Sequence, residues 1–232
     1  MCPMNTNFIY EIKETVESLG ITTNAEEWDN TGVLIDSNTI STNKDVLLTI
    51  NLTEEVVEEA VKKGLKYVIA YHPIIFKPLK NITDQILINC IKNDISVYCP
   101  HTKLDQSMNN FLLDLVKGMT VEKAIIFFKE ELKSVALRVT NINVNRKTVI
   151  TEENLLVFVG SAIKPIDCFN KIIIAGEMSH HSLLHCKRNN STVILLEHSN
   201  SERLYLTHLK HLLSKKLNIF ISKADKDPVD LF

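Results

Sequence analysis

Glycine is scarce in this sequence, and its six residues form no phosphate-binding loop. Neither a G-x-G-x-x-G array nor a G-x-x-x-x-G-K array occurs, which excludes nucleotide binding by those two motifs. The five cysteines are an odd number and include no Cys-x-x-Cys pair. This pattern excludes a zinc ribbon and a disulfide framework, and it is typical of proteins from a reducing compartment.

The sequence also lacks long apolar runs and a strong charge of either sign. No stretch approaches the ~18 apolar residues that a membrane helix needs, and the first residues contain no basic and apolar segments of a secretory signal. The formal net charge is −2 and the pI is about 6.4, so bulk attraction to nucleic acid or anionic lipid is absent. We therefore expect a soluble, cytoplasmic protein with neither a membrane nor nucleic acid as its partner.

What the sequence does contain is a steady alternation of helical and extended patterns. Ile9, Ile12, Val16 and Leu19 recur at steps of three and four residues, which predicts an amphipathic helix that ends before Gly20. Comparable patterns predict helices at 53–64, 82–92, 180–187 and 201–216, and apolar runs predict strands at 46–50, 67–71, 95–99, 135–139, 155–159, 172–175 and 193–196. Asn51 and Thr53 are the two candidate N-caps of the helix that Gly64 ends. Near-continuous apolar strands separated by helices predict an α/β fold whose sheets are covered on both faces.

The length of 232 residues suits one large α/β domain or two small ones. The weakest periodic pattern lies in the middle, where Gly118 opens a mixed apolar and charged stretch. We predict an N-terminal α/β lobe at 1–117, a connecting segment at 118–134 and a C-terminal α/β lobe at 135–232. The two lobes are expected to form one intertwined unit.

Polar residues follow three of the predicted strands, at the ends where ligands gather in α/β sheets. They lie in the segments 71–73, 100–105 and 197–203. His198 and Glu202 are four residues apart and share one face of a helix that begins there. An imidazole and a carboxylate so placed can share one metal ion, while Asp105 adds a carboxylate able to bridge two ions and His72 adds a second imidazole.

Structural roles explain the same residues when each is taken alone. Asp105 fits the N-cap of a helix that begins near Ser107. His198 and Glu202 also fit a surface pair that contributes only ~0.2–0.5 kcal/mol. A single histidine at a strand end is more often a surface residue than a ligand. On pattern alone, the metal site and the structural roles both stay open.

Five segments of the sequence carry a resemblance: AEEWDNTGVLI (25–35), YHPIIFKPLK (71–80), VYCPHTKLD (97–105), GEMSHH (176–181) and EHSNSER (197–203). In their wording and order they resemble the eukaryotic branch of the NIF-three-like family, whose members are often described as GTP cyclohydrolase I type 2 homologs. The resemblance implies a two-lobed α/β fold with mixed sheets covered by helices, a dinuclear metal cleft between the lobes, and a homo-oligomer, often a ring-shaped hexamer. Residues 118–154 are too few for the middle domain that some members carry, which indicates a short member.

The resemblance also assigns residues to the metal site. It matches His72, Asp105, His198 and Glu202 to the metal ligands and places His101 beside them. Tyr71 stands where the bacterial pattern has a histidine, so either Tyr71 is a weak ligand or water completes that position. Glu177 is expected near the metals, and Trp28 and Arg203 are candidate substrate contacts, with a core position and a surface ion pair as their alternatives.

Two divalent ions per subunit would make this a site for hydrolysis. Imidazole and carboxylate ligands suit zinc, iron, manganese and cobalt alike. The first hypothesis is a metal-dependent hydrolase, similar to GTP cyclohydrolase I type 2, acting on a nucleotide or another phosphorylated or heterocyclic small molecule. The alternative is a non-catalytic metal-binding protein that acts in interaction or assembly with a protein partner. The sequence does not decide between them.

Overall fold

The chain forms two compact units in a computed structural model that describes residues 7–38, 41–162 and 167–229. Unit 1 comprises Met1–Gln106 together with Leu206–Phe232, and unit 2 comprises Ser107–Tyr205. Unit 1 is therefore discontinuous in sequence, because the chain leaves it at 106 and returns to it at 206. The predicted lobes, 1–117 and 135–232, divided the chain at other positions.

Unit 1 contains a five-stranded mixed sheet. Its elements are α1 (Phe8–Ser18), β1 (Gly32–Ile35), β2 (Val46–Thr49), α2 (Glu54–Lys62), β3 (Tyr67–Ala70), α3 (Gln85–Lys92), β4 (Ser96–Cys99), a 3₁₀ turn (His101–Leu104), and, after unit 2, α9 (Leu206–Leu213) and β9 (Ile219–Ile221). The strand order is β1-β4-β3-β2-β9. β1 runs antiparallel to β4, and the other neighbours are parallel.

The core of unit 1 forms where helices cover the central strands. Every residue of β2, β3 and β4 is buried, as expected for strands with both faces covered. Val56, Val57 and Ala60 form the buried face of α2 and belong to the same apolar cluster as the alternate strand residues Leu47, Val68 and Val97. Of the two candidate N-caps of α2, Thr53 is the one used, since its side chain accepts a hydrogen bond from the Val56 amide.

Unit 2 contains a four-stranded mixed sheet. Its elements are α4 (Asp105–Val116, whose first residues belong to unit 1), α5 (Val121–Glu131), β5 (Arg138–Val139), α6 (Ile142–Asn145), β6 (Leu155–Ser161), β7 (Ile172–Glu177), α7 (His180–Arg188), β8 (Thr192–Leu195) and α8 (His198–Arg203). The strand order is β5-β8-β7-β6, with β5 antiparallel to β8 and the others parallel.

Three segments differ from the helices and strands that the sequence predicts. The segment at 118–134 contains α5, and the strand predicted at 135–139 shortens to the two residues of β5. The helix predicted at 201–216 is two helices, α8 and α9. The chain turns between them at Tyr205. The Tyr205 ring is buried, and its hydroxyl lies 2.6 Å from the hydroxyl of Ser107, which also belongs to unit 2.

The predicted fold class is confirmed: both units are mixed α/β sheets with helices packed on them. Among the described residues, no helix has the length and apolar character needed to cross a membrane.

Candidate functional site

In unit 1, the candidate residues lie at the carboxyl ends of β2, β3 and β4. Because these strands are parallel, their carboxyl ends share one edge of the sheet, which is where α/β proteins bind ligands. His72 follows β3 directly, and its Nδ1 lies 2.7 Å from Oδ1 of Asn51, which follows β2. Asp105 follows β4 after the 3₁₀ turn and begins α4. The fold therefore presents both predicted unit 1 ligands at the same edge.

Tyr71 contacts a proposed ligand through its hydroxyl group. The ring is buried, and the hydroxyl donates a hydrogen bond of 2.6 Å to Oδ1 of Asp105. A phenol in this position orients the carboxylate and uses one of its lone pairs. The role of Tyr71 at the proposed metal site stays a prediction.

His101 is held by a buried carboxylate. Its Nδ1 lies 2.6 Å from Oδ1 of Asp29, whose side chain is fully buried, and the Thr102 hydroxyl donates to Asp29 at 2.5 Å. Burial opposes the charged form of Asp29, but the hydrogen bonds from Thr102 and His101 outweigh it and lower the pKa. The His101 ring lies 5.7 Å from the ring of His72, between centroids. This agrees with a position for His101 beside the ligands.

Trp28 and Phe76 form an exposed aromatic surface next to His101. The ring of Trp28 lies 5.8 Å from Phe76 and 6.0 Å from His101, between centroids. Trp28 is 55% exposed and Phe76 is 47% exposed. Trp28 therefore lies outside the core, and its contact with a substrate stays a prediction.

In unit 2, an imidazole lies between two carboxylates. His198 Nδ1 is 2.8 Å from Glu177 Oε1, and His198 Nε2 is 3.3 Å from Glu202 Oε1. Glu202 is only 2% exposed, although it carries a carboxylate. The hydrogen bond to Glu202, together with the bond to Glu177, raises the pKa of His198 to about 9 against the opposing effect of burial. Three residues at the ends of β7 and β8 thus form one cluster.

The glycines of β6 and β7 make room for this cluster. Gly160 has a φ of +62°, and a Cβ atom there would lie 2.7 Å from Glu202 Oε1 and 3.2 Å from His198 Nε2. A Cβ atom on Gly176 would lie 2.3 Å from the carbonyl oxygen of Gly160. The contacts that require these glycines come from residues 16 to 42 positions away in the chain, so the sequence alone does not reveal them.

Glu197, which precedes the cluster, has a backbone conformation that is rare outside glycine. Its φ is +69° and its ψ is 152°, a region that costs other residues about 1–3 kcal/mol. Its side chain forms an exposed ion pair with Arg138 at 2.8 Å. Arg203, at the end of α8, is partly buried, and its contact with a substrate stays a prediction.

The donor chemistry of the two sets of residues fits divalent metal ions. Each set contains an imidazole and a carboxylate, His72 with Asp105 and His198 with Glu202. Both imidazoles have an oxygen acceptor at Nδ1, so one proton stays there and Nε2 is the ligand atom. On His198, whose raised pKa favours a second proton on Nε2, a metal ion would take the place of that proton. The space that Gly160 leaves against Glu202 and His198 is consistent with this use.

The sequence comparisons agree on one family. The family model described as Duf34/NIF3 (NGG1p interacting factor 3) matches residues 8–123 and 109–228. NIF3-like protein 1 of Drosophila melanogaster is 36% identical over 256 residues, which cover 94% of this chain and 87% of that protein. NGG1-interacting factor 3 of Saccharomyces cerevisiae is 33% identical, with 88% and 90% covered.

Two solved structures share the fold. A hypothetical protein of Staphylococcus aureus has a TM-score of 0.76 at 19% identity, with 97% of this chain and 99% of that chain covered. Reduced HcgD from Methanocaldococcus jannaschii has a TM-score of 0.72 at 23% identity, with 92% and 96% covered.

NIF3-like protein 1 of Homo sapiens needs an alignment of 331 residues to match this chain of 232, which fits a short member. The chain belongs to the Duf34/NIF3 family.

Proposed function

We propose that the protein is a metal-dependent hydrolase whose two divalent ions are held by His72, Asp105, His198 and Glu202. The observation that carries the proposal is the cluster in unit 2, where buried Glu202 faces His198 and His198 in turn contacts Glu177. A buried carboxylate is costly unless a positive charge compensates it. His72, His198 and Glu202 offer the ligand types that a borderline divalent ion takes.

The side chains around the ligands fix the orientation of the ligands. Divalent ions supply Lewis acidity, which activates water and polarises an oxygen of the substrate. Glu177 accepts the Nδ1 proton of His198, so Nε2 of that ring would be the atom that holds an ion. Tyr71 donates to Asp105 and holds that carboxylate in one rotamer. His101, tied to Asp29, contributes a second polar ring beside His72.

The proposed substrate is a nucleotide or another small phosphorylated or heterocyclic molecule, as in GTP cyclohydrolase I type 2. The exposed rings of Trp28 and Phe76 offer a surface on which a flat heterocycle stacks. Arg203 supplies a guanidinium group for a phosphate, which it binds with two parallel hydrogen bonds. This assignment gives the aromatic surface and the arginine separate roles in substrate binding.

A non-catalytic role in interaction with a partner protein is the second candidate. The name of the yeast relative, NGG1-interacting factor 3, describes that protein as an interaction factor. In this role the metal ions stabilise the fold and the binding surface. We further propose that the protein is a homo-oligomer and that it is cytoplasmic. The four described cysteines are buried free thiols, which fit the reducing environment of that compartment.

Metal analysis and a substrate screen test the proposal together. We expect close to two divalent ions per chain in protein purified without chelator, and hydrolysis of a nucleotide or phosphoester that stops when chelator removes them. The variant His198→Ala should lose metal and activity together. Metal at full occupancy without turnover of any nucleotide or phosphoester, combined with a stable protein partner, would favour the second candidate. A protein that binds none of the four metals (zinc, iron, manganese and cobalt) would refute both candidate functions.

A further inference from the structure

We propose that Asn51 is the positioning residue of His72, and that the segment Ser222–Asp225 holds Asn51 in place. The inference rests on the proposed function, because it assigns a role in metal binding. All the contacts that carry it lie within unit 1. It adds to the metal site two residues, Asn51 and Asp225, that lie far apart in the sequence.

The first contact joins Asn51 to the imidazole of His72. Asn51 Oδ1 lies 2.7 Å from His72 Nδ1, a normal distance for an N–H donor and a carbonyl acceptor. An amide oxygen at this position accepts the Nδ1 proton, so the neutral ring carries its lone pair on Nε2. Partners of this kind fix the tautomer and the orientation of a metal-binding histidine. Asn51 therefore does for His72 what Glu177 does for His198.

The partners of the two imidazoles differ in charge, and this difference has a chemical consequence. Glu177 is a carboxylate and increases the electron density on His198, whereas Asn51 is a neutral amide and orients His72 without adding negative charge. His72 is thereby the weaker electron donor of the two. Replacement of Asn51 by aspartate would make the two partners alike in charge.

The backbone of Asn51 is fixed on both sides. Oδ2 of Asp225 accepts hydrogen bonds from the amides of Ile50, at 2.8 Å, and Asn51, at 3.4 Å. The hydroxyl of Thr49 donates to the carbonyl oxygen of Asn51 at 2.8 Å. The amide of His72 donates to the carbonyl oxygen of Ile50 at 3.0 Å. The turn after β2 is thus tied to His72 through its backbone and through the Asn51 side chain.

The segment that carries Asp225 is anchored to α2. The carboxylate of Glu59 accepts hydrogen bonds from the Ser222 hydroxyl at 2.6 Å and from the amides of Lys223, at 2.9 Å, and Ala224, at 3.0 Å. The Ser222 hydroxyl also accepts from the amide of Asp225 at 3.2 Å. These bonds leave the segment little freedom, so the Asp225 carboxylate reaches the amides of Ile50 and Asn51 in a fixed position.

Titrations of Zn²⁺ against a chromophoric chelator test the inference on the full chain. The variants are Asn51→Leu, which removes the acceptor at similar volume, Asn51→Asp, which keeps an oxygen there, Asp225→Ala, and the double variant Asn51→Leu with Asp225→Ala. Asn93→Leu, at a polar site of unit 1 away from His72, is the matched control. Melting of the chelator-stripped proteins measures the loss of stability separately.

We expect Asn51→Leu to weaken Zn²⁺ binding roughly 10–100-fold, while Asn51→Asp retains or exceeds the parental affinity and Asn93→Leu leaves it unchanged. Asp225→Ala should weaken binding in the parent but not further in the Asn51→Leu background, because residues that act through one contact are not additive. Additive effects would overturn the role of Asp225. Parental affinity in Asn51→Leu would overturn the inference alone, whereas a parent protein that binds no Zn²⁺ would overturn the proposed function as well.

Discussion

At the scale of single residues, replacing Asp105 tests whether its carboxylate binds metal or has only a structural role. It begins α4 and accepts the hydroxyl proton of Tyr71. We expect Asp105→Ala to lower the metal content well below the parental value, because the proposed site loses a carboxylate that bridges two ions. Elemental analysis and melting of both proteins, before and after treatment with chelator, provide the measurement.

The stripped Asp105→Ala variant should lose no more than about 2 kcal/mol of unfolding free energy, the range for a cap or a single hydrogen bond. Asp114→Ala removes an exposed carboxylate from the same helix and should leave the metal content unchanged. An Asp105→Ala protein with full metal occupancy would show that the residue is structural only.

A second prediction at this scale concerns Gly160. An alanine there would have a strained φ of +62° and a Cβ atom 2.7 Å from Glu202 Oε1, so Gly160→Ala should displace Glu202 and reduce metal affinity. Gly64→Ala is the control, since Gly64 has a φ of +66° and open space at its Cβ position. Both variants should lose about 1–2 kcal/mol from the left-handed backbone, but only Gly160→Ala should bind less metal. Equal metal affinity in the two would refute the contact.

At the scale of secondary-structure elements, Glu59 links α2 to the segment after β9. Burial opposes its charge, but hydrogen bonds from Lys63, Ser222 and the Lys223 and Ala224 amides lower its pKa from 4.5 to about 2. A carboxyl group whose pKa is lower in the folded state stabilises the fold above pH 4.5, and this contribution disappears as the pH falls toward 2. Glu59→Gln should therefore lose up to about 3 kcal/mol at pH 7.

Urea unfolding at a series of pH values measures this loss. The difference between the parent and Glu59→Gln should be constant above pH 5 and shrink between pH 4.5 and pH 2. Glu58→Gln, which breaks only an exposed pair with Lys62, should cost less than about 0.5 kcal/mol. A difference between the parent and Glu59→Gln that does not depend on pH would contradict the assignment.

The turn between β8 and α8 gives another prediction for an element. Glu197 has φ +69° and ψ 152°, a region that glycine adopts without strain. Glu197→Gly should raise the unfolding free energy by about 1 kcal/mol, since the exposed pair with Arg138 that it removes contributes little. Glu197→Ala keeps the strain and loses the pair, so it should be slightly less stable than the parent. Thermal melting of the three proteins decides the order.

The sequence predicts elements with a strong local pattern and fails where distant contacts decide. The periodicity of α1 and the Thr53 cap of α2 predict both helices to within a few residues. β1 and β9 were not predicted; both are edge strands with only one buried residue each, so they lack the continuous core pattern of the central strands. The break between α8 and α9 depends on Tyr205, whose partner Ser107 lies 98 positions earlier.

The residues of the candidate site also fall into two groups, those that the sequence indicates and those that only the structure reveals. His72, Asp105, His198 and Glu202 are chemically distinctive residues at strand ends, so the sequence alone points to them, and the resemblance then assigns their roles. Asn51, Gly160 and Asp225 act through contacts with partners that are distant in sequence. Asn51 looked like a candidate helix cap, since asparagine is common at that position. Only the three-dimensional arrangement shows its contact with His72.

At the scale of the whole molecule, the proposed homo-oligomer is the main expectation. The ring-shaped hexamer rests on the resemblance to the family, since an apolar content of 45% is ordinary. Light scattering at micromolar concentration and physiological salt should give a mass near six times the 26.4 kDa of one chain. A mass of one chain under these conditions would refute the oligomer, and a smaller multiple would refute the hexamer alone.

The discontinuity of unit 1 has a consequence for biosynthesis. Unit 2 is a single stretch, Ser107–Tyr205, so it can begin to fold on the ribosome before β9 has been synthesised. At that stage β2 still lacks β9, one of its two neighbouring strands. The sheet of unit 1 is complete only after β9 (Ile219–Ile221) has emerged from the ribosome, and Asp225 emerges after β9. We therefore expect a nascent chain that stops before β9 to hold unit 2 folded while His72 lacks its final orientation. Metal would then bind late, after translation, and only to chains whose synthesis has passed Asp225.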